Sequence, residues 1–192
     1  MKEDLVLHNA PPSLLLTAGY SLAFQFLEGV QFIHDNLVAH LDLKPANIVI
    51  GAKNKLYIID LSVSVRVPLL ESRIRGYQGT KGWVAPEVEQ NPDAGYEPIR
   101  ADLWSTGQVL RYFAEHQPAY HSEMIFLADQ LQKSEPQQRP LLSSTILHTV
   151  FQRPFQYHQN LPLTLKRKLG VDAPGEVAAK RQCVDLVAQC AM

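Results

Sequence analysis

Cysteine is nearly absent from this sequence: its 192 residues hold only Cys183 and Cys190, seven apart, with no neighbouring Cys or His pattern to complete a zinc set. That scarcity points to a reducing compartment, cytoplasmic or nuclear, with ordinary packing for both thiols. An excess of one charge sign is also lacking, since 18 Lys and Arg stand against 19 Asp and Glu for a net charge of -1. Such a balance argues against a broad nucleic-acid footprint or a polybasic membrane surface. No apolar run is long and clean enough for lipid. The stretch Leu14 to Phe32 is broken by Thr17, Gly19, Ser21, Gln25, Glu28 and Gln31, so it reads as a core helix. The opening Lys2, Glu3 and Asp4 lack the basic start and adjacent apolar stretch of a secretory signal. Cys190 stands third from the end, which is not the prenylation spacing.

What the chain does have is a 46% hydrophobic share, which excludes global disorder and predicts one domain with a tail. Leu15, Ala18, Leu22, Phe26, Gly29 and Ile33 step by three, four or seven and line one face of a helix, with Pro11, Pro12 and Ser13 as its start signal. Short apolar runs follow at Leu37 to His40, Ile48 to Ile50 and Leu56 to Ile59, the last two separated by the turn Gly51 to Lys55; these read as strands. Further helical patterns run over Asp102 to Glu115, Ser122 to Lys133 and Leu142 to Phe151. Beyond Pro154 the pattern dissolves into a Gln/His-rich stretch and the basic groups Lys166-Arg167-Lys168 and Lys180-Arg181, with a short helix expected over Glu176 to Ala188. Solvated surface charge is favoured over a nuclear import signal for these clusters.

The chemistry concentrates in HLDLKPANIVI, His40 to Ile50, and IID, Ile58 to Asp60. A carboxylate suits the activation of a hydroxyl nucleophile, a nearby cation suits charge building on phosphate oxygens, and Asn with Asp offers hard oxygens to a divalent cation. This segment resembles the catalytic loop of the eukaryotic protein kinase family. By that resemblance Asp42 is the base, Lys44 supports the transferring phosphoryl group, and Asn47 and Asp60 bind magnesium and with it the nucleotide. Eighteen residues separate Asp42 and Asp60, an interval that suits a two-strand hairpin. GTKGWVAPE, Gly79 to Glu87, resembles the end of a kinase activation segment, in which Thr80 bonds the catalytic Asp and Lys. ADLWSTG, Ala101 to Gly107, resembles the start of the central helix, whose Asp102 holds the catalytic-loop backbone. QRPLLSSTILHTVF, Gln138 to Phe151, resembles the last helical signature, whose Arg139 pairs with Glu87 in a structural role. Each motif alone is weak; five in family order are not.

The resemblance implies a mainly α (α+β) fold: a protein-kinase-like C-terminal lobe over 1–155, helical with a small β-hairpin platform carrying Asp42, Asn47 and Asp60, and a loosely structured tail over 156–192. It implies a serine/threonine kinase, Lys44 being the mark of that specificity, which uses ATP and Mg2+ on a protein substrate. No glycine-rich loop, strand Lys or helix Glu precedes the catalytic loop, so the upper part of the nucleotide site is expected from an N-terminal lobe or a partner in trans. Apolar surface normally facing that lobe should be exposed near Asp42. Leu41 replaces the Arg before the catalytic Asp, which argues against control by phosphorylation at Ser64, Ser72 or Thr80. Asp60-Leu61-Ser62 stands where the family has Asp-Phe-Gly, and Ser62 resists the positive φ that Gly tolerates. The 37 residues from Asp102 to Arg139 leave little room for the family's substrate-docking helix. His8, His34, His116, His121, His148 and His158 read as surface or packing residues, and Trp83 and Trp104 as core aromatics. The competing reading is a non-catalytic kinase-like binding module or pseudokinase remnant.

Overall fold

The computed structural model describes residues 4–142. The expected helices at 142–151 and 176–188, the tail 156–192 and its basic clusters fall outside these residues, apart from Leu142 itself.

Four α-helices and two small antiparallel sheets make up the described chain. The first helix, α1 (Pro12–Asp35), starts where Pro11 is extended at φ -64°, ψ 142° and Pro12 takes the first helical position, whose N–H would have no partner anyway. It buries Leu15, Leu22, Phe26 and Ile33 of the stripe its periodicity predicts, leaves Ala18 and Gly29 half-buried, and adds the flanking Ala23, Leu27 and Val30. Apart from the exposed Leu16, the large apolar side chains of the run Leu14 to Phe32 are buried or half-buried against protein; among the described residues no helix is long and apolar enough to cross a membrane. At its end Asn36 Nδ2 donates to Phe32 O at 2.8 Å, and Leu37 turns into the left-handed region at φ 58°.

A mixture of short strands follows. β1 (Leu5–Val6) pairs with β3 (Ile48–Ile50), and β3 pairs with β4 (Leu56–Ile58), in the order β1-β3-β4. β2 (Val38–Ala39) pairs separately with β5 (Val65–Arg66). The β3–β4 hairpin is the one expected; β1 and β5 are additions, each too short to show a period of two. Gln25 of α1 clamps the hairpin by donating to Asn54 O at 3.1 Å and accepting from Leu56 N at 3.0 Å.

The remaining helices are α2 (Pro86–Gln90), α3 (Pro98–Glu115) and α4 (His121–Leu131). α3 begins one turn earlier than expected because Pro98, with its fixed φ, occupies the first position. The main core joins α1, α3 and α4 through Leu22, Phe26, Leu110, Phe113, Met124 and Leu131, and the Phe26 and Phe113 rings lie 6.4 Å apart. Full burial of each such side chain contributes about 1.5–3 kcal/mol. A second cluster, Leu41, Val67, Ala85, Val88, Tyr96 and Ile99, fastens the segment after β5 to α3. This is the mainly helical lobe with a small sheet that the sequence implies.

Candidate active site

The loop between β2 and β3 carries Asp42, Lys44 and Asn47, and its shape is imposed from α3. Asp102, 1% exposed, accepts hydrogen bonds from His40 N at 2.5 Å and Leu41 N at 2.7 Å. Those bonds hold Leu41 at φ 67°. A left-handed conformation costs an ordinary residue about 1–2 kcal/mol. Hydrogen bonds to an ionised carboxylate contribute about 1.5–3 kcal/mol each and offset it. His34, read from sequence as a packing residue, is the third partner: its Nε2 lies 3.1 Å from Asp102 Oδ2 at the buried end of α1. Helical spacing marks His34 as buried, but nothing local shows the carboxylate it meets 68 residues away.

Asp42 accepts from Thr80 Oγ1 at 2.7 Å on Oδ1, and from Lys44 Nζ at 2.7 Å and Asn47 Nδ2 at 2.9 Å on Oδ2. Lys44 Nζ also donates to Thr80 Oγ1 at 2.6 Å. A carboxylate offers about four acceptor sites, so three are taken and one on Oδ1 is left open. Thr80 reaches this position because Gly79, at φ 103°, has no side chain: a Cβ there would lie 2.3 Å from Leu41 O and 2.7 Å from Val84 Cγ1.

Asp60 is brought alongside by the hairpin. The register sets Ile48 against Ile58, Ile59 N donates to Asn47 O at 3.0 Å, and Asp60 follows immediately. His40 ties the two segments together: Nε2 donates to Ile59 O at 3.0 Å while Nδ1 accepts from Asp42 N at 3.3 Å, which defines the neutral tautomer. The positive φ in the Asp60-Leu61-Ser62 segment, 65°, falls on Asp60 and not on Ser62. Ser62 Oγ donates to Asp60 Oδ1 at 2.7 Å and Ser62 N to the same oxygen at 3.4 Å. These bonds, aided by the nearby Lys44 charge, hold the Asp60 carboxyl below the usual carboxylate range.

The donor set fits magnesium. Asn47 spends its amide N–H groups on Asp42 O and Oδ2, both at 2.9 Å, which leaves its carbonyl oxygen for a hard cation beside the Asp60 carboxylate. Among the described residues no group of three or more His, Cys, Asp or Glu could hold a metal alone, so such an ion would rely on phosphate or water oxygens as well. Tyr57 and Ile59, next to this site, are 37% and 40% exposed, in line with the expected open apolar surface.

Glu87 and Arg139 lie apart from Asp42, Lys44 and Asn47 and bond to none of them. Arg139, 0% exposed, donates to Glu87 Oε1 at 2.6 Å and Oε2 at 2.8 Å, to Arg100 O and Lys133 O at 2.9 Å, and to Ser134 O at 3.4 Å. Its guanidinium also sits 5.3 Å from the centroid of the Trp104 ring. All five N–H groups are thus engaged, and the pair anchors α2 to the chain after α4. Ser64 Oγ donates to His40 O, and Ser72 Oγ accepts from Leu69 N, so both hydroxyls have local structural partners.

Comparison with known proteins bears on this arrangement. The family model of the protein kinase domain matches residues 16–191. Over 89 residues the chain is 44% identical to a probable serine/threonine-protein kinase KKQ8 of Candida glabrata, covering 44% of this chain and 12% of that protein. It is 34% identical over 124 residues to serine/threonine-protein kinase 10 of Xenopus tropicalis, covering 62% and 13%. With mitogen-activated protein kinase kinase kinase A of Dictyostelium discoideum it shares 35% over 96 residues, covering 50% and 10%. The matched segments span only 10% to 13% of these relatives' own lengths.

Proposed function

Because the chain belongs to the protein kinase domain family, we propose that it transfers the terminal phosphoryl group of ATP to a serine or threonine hydroxyl of a protein substrate. The observation that carries this reading is the Asp42 carboxylate, held by Lys44, Asn47 and Thr80 with one acceptor site open. Asp42 accepts the hydroxyl proton as the new O–P bond forms and the bond to the departing diphosphate breaks. Lys44 keeps a positive charge beside the carboxylate, where negative charge on phosphoryl oxygens is best balanced. Thr80 fixes both side chains in one geometry. Asn47 and Asp60 would hold magnesium through oxygen, and the ion when bound neutralises charge on the nucleotide phosphates. The exposed Tyr57 and Ile59 support a covering lobe, upstream or in trans, as the upper wall of the nucleotide site.

The same open face favours a second reading, a kinase-like module that binds a partner without catalysis. Phosphate transfer from γ-labelled ATP to a generic protein substrate, measured for the full chain and Asp42→Asn, separates the two. A loss of about 10²–10⁴-fold in the variant is expected. Transfer unaffected by Asp42→Asn would overturn the assignment of the base, and no transfer at all would leave the binding reading.

A further inference from the structure

Asp60 has an unusual combination of properties for a side chain expected to grip an ion. It is exposed, it carries a left-handed backbone at φ 65°, and packing does not fix its carboxylate. Its orientation is set by Ser62. The hydroxyl contact at 2.7 Å has the length of a charge-assisted O–H···O bond, whereas the amide contact at 3.4 Å is long and weak. Both end on Oδ1, and Oδ2 accepts no hydrogen bond from the described residues.

We propose that Ser62 is a positioning residue for the cation site: its hydroxyl holds Asp60 Oδ1, so that Oδ2 alone is presented to a divalent ion. The proposal rests on the reading of Asp60 as a cation ligand. A glycine at this position, as in the family pattern, keeps the weak amide contact and loses the strong one. Serine therefore substitutes a side-chain lock for backbone freedom. Without the lock the carboxylate samples up to three χ1 wells, of which one is competent, a loss of about threefold in affinity from rotamer freedom alone.

Manganese(II) alone serves as the probe, read by paramagnetic broadening of backbone amide resonances over residues 58–64 of the full chain. This reports binding in the absence of nucleotide and turnover. In the unsubstituted chain and in Ser62→Thr, which keeps the hydroxyl, broadening is expected at the same manganese concentration. In Ser62→Ala the midpoint should rise by about threefold or more. Asp60→Asn should abolish the local effect. A Ser62→Ala midpoint equal to that of the unsubstituted chain, or a Ser62→Thr midpoint equal to that of Ser62→Ala, overturns the proposal while the cation reading stands. Broadening that is absent from the unsubstituted chain, or that survives Asp60→Asn, overturns the cation reading and the proposal with it.

Discussion

Replacing Arg139 by Met removes a cation that is 0% exposed and strands the Glu87 carboxylate, whose side chain keeps 21% exposure. Three backbone carbonyls, those of Arg100, Lys133 and Ser134, lose their donor in the same step. Breaking one side of a buried ion pair typically destabilises by about 3–5 kcal/mol, and Arg139→Met should fall in that range. Glu87→Gln should match it for a different reason, since it leaves a fully buried guanidinium with a neutral partner. The informative variant is the double one. With both charges gone no uncompensated ion remains, and its destabilisation should be smaller than the sum of the two singles by about 2 kcal/mol. Urea denaturation of the full chain measures all three, and Trp104 supplies a local fluorescence signal because its ring faces Arg139. Midpoints should shift with unchanged slope. A loss below about 1 kcal/mol in either single, or additivity within about 0.5 kcal/mol, would refute the reasoning.

Gly79→Ala and Gly82→Ala test the approach of Thr80 to Asp42. Both glycines have positive φ, 103° and 83°, so each variant carries the left-handed penalty of about 1–2 kcal/mol. Only at position 79 does the new Cβ meet Leu41 O and Val84, adding about 1–3 kcal/mol of overpacking; equal drops in melting temperature would contradict this. Tyr96 gives an alkaline prediction. Burial, with Asp102 and Glu87 nearby, pushes its pKa from 10.0 up to about 12. A group raised in the folded state contributes stability that is whole below pH 10.0 and lost as pH climbs toward about 12. Tyr96→Phe should flatten that limb, and ultraviolet titration should show one late tyrosine fewer.

Much of this architecture can be read from the chain because long periodic segments carry it. Leu15 to Ile33 announces α1, and the turn Gly51 to Lys55 announces the hairpin that sets Asp60 beside Asn47. The two-residue strands β1 and β5 escape such a reading, since their pairing with β3 and β2 is a tertiary matter. So do the left-handed backbones. Leucine at 41 and aspartate at 60 lack glycine's signal, and at 41 a hydrogen bond from 61 residues away holds the conformation. The motifs name Asp42, Lys44, Asn47 and Thr80, which the structure joins by hydrogen bonds, Asp102, which holds the backbone before Asp42, and Arg139, which pairs with Glu87 elsewhere. They do not name His34, whose partner lies 68 residues on, nor the Ser62 hydroxyl, where the expected backbone difficulty turns out to be a side-chain contact.

The Asp102 carboxylate also says something about the order in which the molecule can form. It joins α3 to the end of α1 and to the loop that carries Asp42, across separations of 61 to 68 residues. Contacts of that range require loop closure before any gain is realised. The helices and the hairpin can assemble from local contacts, but Leu41 has no reason to enter its left-handed state until α3 has docked. During synthesis the loop that carries Asp42 therefore stays unset until residue 102 has emerged and folded into place, and its geometry follows from the packing of α3.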